Sequence, residues 1–321
     1  MARPSRGLAR VLPVVRVLAG RVVEAALVVF VVASLAFFAL RLLPGDPARL
    51  VLGDEASADE VAAMRHRLGV DVPIHVQYIR FLGGLLRLDF GESLRHPGQA
   101  SWSRVAEAIG PTASLALIAV SLGAFVGVTV AVLGVGPWFP RARRMLGALP
   151  TAVAATPLLS FAPLVTWLLA AKLRIAPLPA DPDAGAGGTL FAAALLALPL
   201  AAAVARVSRA ALLGVAKLPF VAVARAKGGS SARALFLHAL PACSGPILTV
   251  VASQLGALLG GAVVLERLFE RPGLGSLILE AYAARDLPVL EGAVVCAAAL
   301  FVAVQTSAAA LQAAVDPRVR R

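Results

Sequence analysis

The chain has 321 residues, 59% of them hydrophobic and 15% charged, with a mean hydropathy of +0.85, whereas a soluble domain carries about 25% charged residues. A single protein core cannot hide so much apolar side chain, so lipid must serve as part of the solvent, and an ordinary soluble enzyme is excluded. The net charge of +12, from 27 Arg and 3 Lys against 18 Asp and Glu, would suggest nucleic acid in a soluble domain; here topology accounts for it, and no nucleic-acid partner is expected.

In chain order, a basic N-terminus (1–21) holds Arg3, Arg6, Arg10, Arg16 and Arg21. The apolar run Ala25–Leu40 follows, and it reaches spanning length as a first transmembrane helix over 22–43 with Glu24 and Arg41 at the two headgroup layers. That is too long for the apolar core of a signal peptide, so an uncleaved anchor is expected. A segment over 44–111 comes next. Further uncharged runs are Thr112–Pro140, Met145–Ala171, Ala184–Ala205, Pro241–Leu265 and Gly292–Val315. They predict an all-α polytopic membrane protein with six transmembrane helices, five of them in a core over 112–315. Pro150, Pro157 and Pro163 interrupt the third span, where a missing amide donor weakens and bends a helix.

Charge sets the orientation. Arg141, Arg143 and Arg144 follow the second span, and 206–241 carries Arg206, Arg209, Lys217, Arg225, Lys227 and Arg233 with no acid. These sides read as cytoplasmic, as does the tail 316–321 with Arg318, Arg320 and Arg321. By contrast 44–111 holds seven Arg against nine Asp or Glu, and 266–291 three Arg against five acids; these read as external. Both termini are therefore expected in the cytoplasm, with a partly helical external segment between helices 1 and 2.

Several chemistries are missing from the pattern. Ala171, Ala216 and Ala226 precede the three lysines, so no Gly-Lys pair offers a P-loop for ATP. No charged residue or histidine lies deep in an uncharged run, which argues against a proton relay. His66, His75, His96 and His238 are scattered, and there is no Gly-x-Ser-x-Gly elbow. Cys243 and Cys296 read as small core residues, not a disulfide or metal set. No catalytic residue, metal ligand or cofactor of its own is expected.

The loop 206–241 is patterned instead. Leu218, Phe220, Val221, Val223 and Ala224 form a short apolar stretch, followed by Arg225 and Lys227, the Gly228-Gly229 turn and a helix over Ala232–Leu240 ending at Pro241. A short amphipathic helix of this kind lies on headgroups or docks in a partner's groove.

Ala222-Val223-Ala224, Gly228, His238, Leu240 and Pro241 fall on the spacing of a Glu-Ala-Ala, three residues, Gly, nine residues, Ile, one residue, Leu-Pro signature. In this respect the chain resembles the permease subunits of ATP-binding-cassette (ABC) importers of the dipeptide, oligopeptide and nickel type, although Glu is missing and His238 stands for Ile. The likeness extends along the chain. It includes Pro44-Gly45-Asp46-Pro47, Leu68-Gly69 with Asp71 and Pro73, Asp89-Phe90-Gly91 with Leu88 where Gly is usual, Glu266 with Phe269, Pro272-Gly273-Leu274-Gly275, Arg285-Asp286 and Asp316-Pro317-Arg318. It departs at Gln305, Ala309 and Gln312, where Asn, Asp and Tyr are common.

The resemblance implies half of a translocation pathway, a second homologous permease subunit, two ABC ATPase subunits that carry ATP-Mg, and an extracytoplasmic substrate-binding protein, with peptides as the default substrate. It implies a coupling set of Phe220, Val223, Ala224, Arg225, Lys227, Gly228, His238, Leu240 and Pro241. It also implies an external set of Pro44, Gly45, Asp46, Pro47, Glu266, Phe269, Pro272, Gly273, Gly275 and Asp286. An ATP-independent secondary carrier or channel is the alternative, and a membrane-embedded enzyme the third class.

Overall fold

The computed structural model describes residues 8–42, 46–53, 55–179, 181 and 185–315. Pro44 and Gly45, and the terminal Asp316-Pro317-Arg318, lie outside the described residues. Helices in chain order are α1 (Leu8–Arg41), α2 (Pro47–Leu52), α3 (Ala58–Leu68), α4 (Ile74–Arg87), α5 (Ser101–Val135), α6 (Arg143–Ala154) and α7 (Leu158–Thr166), the last continuing as a π-helical stretch, Trp167–Lys172. They continue with α8 (Gly185–Val215), α9 (Pro219–Ala226), α10 (Ser231–Ala234), a π-helical turn Leu235–Ala239, α11 (Leu240–Ala242), α12 (Ser244–Leu268), α13 (Leu274–Ala284) and α14 (Leu287–Val315). The only β pairing among the described residues is an isolated bridge between Glu92 and Ala100.

Among the described residues five helices are long and apolar enough to cross a membrane: Gly20–Arg41, Ser101–Val135, Gly185–Val215, Ser244–Leu268 and Leu287–Ala310. The expected third span is instead broken into α6 and α7 (through Lys172), which meet at 110°; counted as one, they make a sixth span. Of the three prolines only Pro157 breaks the chain. Thr156 N–H reaches back just three residues to Val153 O (3.2 Å), and Pro157 then turns extended (φ −61°, ψ 137°). Pro150 and Pro163 sit inside their helices.

Two compact units divide the chain. One comprises Met1–Val23, Ala113–Arg271 and Ala303–Arg321, the other Glu24–Thr112 and Pro272–Val302. In the first unit α8 is the central element. Its Leu195, Leu196, Leu200 and Val204 are buried with Leu115 and Ala119 of α5, Ala162 of α7, and Leu255, Leu258 and Leu265 of α12. Contact with α5 is close because Gly123 and Gly127, four residues apart on one face, carry no side chain there. A Cβ at Gly127 would lie 2.6 Å from Ala201 O and 2.7 Å from Val204 Cβ. Small residues at this spacing are how apolar helices approach in lipid, where burial of Leu against Leu gains nothing over Leu against acyl chain.

In the second unit α13 and the start of α14 bury Leu274, Leu277, Ala281, Val289 and Leu290 against Val105 and Ala108 of α5. Cys243 and Cys296, one in each unit, are both free and buried. Uncharged runs do not locate every helix end: α8 runs on to Val215, so the first ten residues of the 206–241 connection extend a spanning helix.

Candidate coupling site

Leu218 enters α9 in extended conformation (φ −75°, ψ 147°), with Pro219 supplying the preset first helical position. Helical spacing then divides α9 into two faces. Val221 is 1% exposed and seats the helix, while Phe220 and Val223 are 44% and 51% exposed. An eight-residue helix cannot be stable through its own hydrogen bonds, so the seated face holds it.

Its end is a double glycine turn. Gly228 has φ +83°, Gly228 N–H donates to Arg225 O (3.0 Å), and Gly229 N–H donates to Ala224 O (3.2 Å). This is the Schellman arrangement, which requires a left-handed residue that glycine supplies without steric cost. Gly229 is needed for a different reason: a Cβ there would lie 2.7 Å from Ala224 O.

The chain then restarts. Ser230 caps α10 by accepting the Arg233 N–H on Oγ (3.2 Å), a signal the sequence carried and the motif spacing did not use. The π turn over Leu235–Ala239 follows, with Leu240 N–H donating to Leu235 O, immediately before Pro241, which has no amide to donate.

The two helical pieces enclose a cleft of about 470 Å³ lined by Phe220, Val223, Ala224, Lys227, Gly228 and His238, together with Gly229, Arg233 and Ala234. Six residues of the expected coupling set are thus brought together around one concavity with apolar walls and a basic rim. Leu240 and Pro241 lie in α11 beyond it, and Arg225 is on the Val221 face, lining a separate pocket. The cleft can accept an apolar protrusion bordered by acidic groups; it holds no arrangement for bond-making chemistry.

The expected external set divides between the two units. Glu266 and Phe269 end α12 in the first; both are buried, and the Phe269 ring meets Phe191 edge-on at 5.5 Å. The others fall in the second. Asp46 caps α2, accepting from Ala48 N–H (3.1 Å), and is paired with Arg65 at 2.6 Å, a contact that holds its carboxyl below the usual carboxylate range. Pro47 begins α2.

Gly273 and Gly275 are buried where α13 starts, Pro272 is exposed, and Leu274 N–H donates to Thr112 Oγ1 (2.8 Å). Asp286 is fully buried. It accepts a short hydrogen bond from Ser93 Oγ and another from Leu94 N–H (3.1 Å), with Arg104 3.9 Å away. Asp286 is therefore a clasp holding the 89–101 segment to the α13–α14 corner.

A second pairing escaped the sequence. Arg41, assigned above to a headgroup layer, bonds Glu291 (2.5 Å) and Gln77 (3.0 Å) and lies over the Phe37 ring at 3.5 Å. Glu291 sits just outside the last uncharged run but within α14. Only a fold brings residues 250 positions apart together, so spacing carried no signal for it.

Two family models match the chain. That of the binding-protein-dependent transport system inner membrane component matches residues 119–321, and that of the N-terminal part of such membrane components matches 14–104. A Brucella abortus protein named as a peptide transport system permease is 34% identical over 308 residues, covering 94% of this chain and 97% of that one. The glutathione transport system permease protein GsiC of Salmonella paratyphi A is 33% identical over 296 residues, covering 90% and 94%. Among solved structures, the MetNI methionine ABC transporter in inward-facing conformations has a chain similar in fold. It has a TM-score of 0.52 at 18% identity and covers 66% of this chain and 96% of that one.

Proposed function

Because the chain belongs to the family of binding-protein-dependent transport system inner membrane components, and so is a multi-pass permease subunit of an ABC importer in the bacterial inner membrane, we propose that it carries peptides. It has no ATPase site of its own and is driven through the cleft behind α9. ATPase subunits and a substrate-binding protein are partners of this family as a whole. The particular assembly proposed is two ATPases that hold ATP-Mg, one binding protein, and a second, homologous permease subunit, since six spans enclose half a pore. Both termini and the 206–241 connection face the cytoplasm, and 44–111 faces outward.

One observation carries the coupling role: the grouping of Phe220, Val223, Ala224, Lys227, Gly228 and His238 around a single basic-rimmed concavity. ATPase subunits closing on nucleotide pull α9. Because α9 is short and is fastened through Val221, the pull passes to α8 and α12 as a rigid-body displacement. Phe220 and Val223 are the apolar anchors and Lys227 the rim. Peptide as the substrate class is supported by the Brucella relative, and the glutathione permease is consistent with it, glutathione being a small peptide-like thiol.

The test is reconstitution of the chain with its ATPases, second permease and binding protein. Peptide uptake must require nucleotide hydrolysis; flux through the isolated chain driven by an ion gradient would favour a secondary carrier instead. Phe220→Ala should weaken ATPase association about 30-fold, the scale of losing a buried aromatic anchor, with membrane insertion unchanged.

A further inference from the structure

The face of α9 turned away from the coupling cleft has its own pocket. Phe220, Val223, Ala224 and Lys227 follow helical spacing around one side; Val221 and Arg225, four apart, occupy the other. This second pocket, about 150 Å³, is lined by Gly136 after α5 and Arg143 at the start of α6, by Val221 and Arg225 of α9, and by Ser231. Arg143 donates one hydrogen bond, to Gly136 O at 3.2 Å, and a guanidinium has five N–H donors. Among the described residues neither arginine is in an ion pair.

The sequence makes the shortage of anions general. No Asp or Glu occurs between Glu107 and Asp181, or between Asp183 and Glu266. Two guanidinium groups on the walls of one small pocket repel each other unless an anion lies between them, and neither stretch can supply it.

We propose that this pocket binds the phosphate of an anionic phospholipid. Its volume admits a phosphate group. The phosphate is assigned to a lipid because of what surrounds the pocket. Trp138 and Phe139 are 41% and 50% exposed in the connection that follows the apolar span α5, and the Trp138 ring packs on Phe236 at 5.9 Å. Exposed aromatic rings next to a spanning helix end mark the headgroup level. A bound headgroup ties α9 to the leaflet through Arg143 and Arg225, so the coupling helix moves against a lipid-anchored seat.

The test measures retention of phosphatidylglycerol against phosphatidylcholine on the purified full chain, as wild type, Arg143→Gln and Arg143→Lys, with and without millimolar inorganic phosphate. Preferential retention of phosphatidylglycerol is expected. It should fall about fivefold in Arg143→Gln, since one arginine at a membrane surface contributes about 1 kcal/mol, be largely restored in Arg143→Lys, and resist inorganic phosphate. Equal retention of both lipids, or an unaffected Arg143→Gln, would overturn the proposal. Displacement by inorganic phosphate would make the pocket a soluble-anion site, and loss of ATPase binding with lipid retention intact would assign Arg143 to an acidic partner; either also overturns it. The coupling role is read through Phe220 and Gly228, so each idea can fail without the other.

Discussion

At the residue scale, conformation and charge settle roles that residue type alone leaves open. Leu88 occupies the left-handed region (φ +55°) at the end of α4, a position where the sequence resemblance predicts glycine. A side chain there costs about 1–2 kcal/mol, and at 46% exposure Leu88 recovers little by burial. Leu88→Gly should therefore raise stability by about 1 kcal/mol, read as a higher unfolding temperature in detergent; a lower one would show that the leucine packs against something that matters more. The departure from the family pattern was visible in the sequence, but its cost was not, since φ is a property of the fold.

Asp46 gives a dependence on pH. Its pKa is depressed, first by the Arg65 hydrogen bond, so its contribution is fully present above the ordinary Asp value of about 4 and is lost as pH falls through the depressed value. The protection of α2 and α3 amides against hydrogen exchange, taken relative to the intrinsic rate at each pH, should fall on acidification below that range in the wild type, whereas Asp46→Asn should show the lower protection already at neutral pH. Identical profiles for the two proteins would remove the pair from the account.

At the element scale, what the sequence discloses is length and polarity, and what it withholds is contact. Six uncharged runs marked the spanning material, whereas the short helix α13 that follows Pro272-Gly273 lies between two of them. The three prolines of the third run look alike in sequence, yet only Pro157 breaks the helix, because the preceding turn has already tightened at Thr156. The pair Gly123 and Gly127 was equally readable as a close-packing motif in an apolar run. Its partner, α8, was not, because nothing in the spacing names the facing helix. Gly127→Leu forces a side chain into Ala201 O and Val204, and overpacking of this kind costs about 1–3 kcal/mol. It should lower the unfolding temperature and abolish transport together, while Gly110→Leu, with nothing within 4 Å of its Cβ position, should do neither. Equal effects at both positions would deny the α5–α8 contact its special closeness.

At the scale of the whole molecule, charge is distributed unevenly along the chain. The acid-poor stretches hold α9 and its two basic pockets, whereas several acids of 44–111 and 266–291 form internal pairs, such as Asp46 with Arg65 and Glu280 with Arg104. Spanning helices could be counted from sequence because apolar length is a one-dimensional signal. The clasp of Asp286 on Ser93 and Leu94 could not be, being made of residues more than 190 positions apart. A basic-rimmed groove on a short helix fastened through Val221 is suited to receiving force.

That claim is tested most directly by the ratio of peptide imported to ATP hydrolysed in proteoliposomes containing the complete transporter, wild type against Gly228→Val. A β-branched residue cannot adopt φ +83° without strain, so the turn after α9 must distort. Normal insertion and assembly, continued hydrolysis and a fall in uptake of at least about tenfold are expected. Unchanged uptake per ATP in that variant would contradict it.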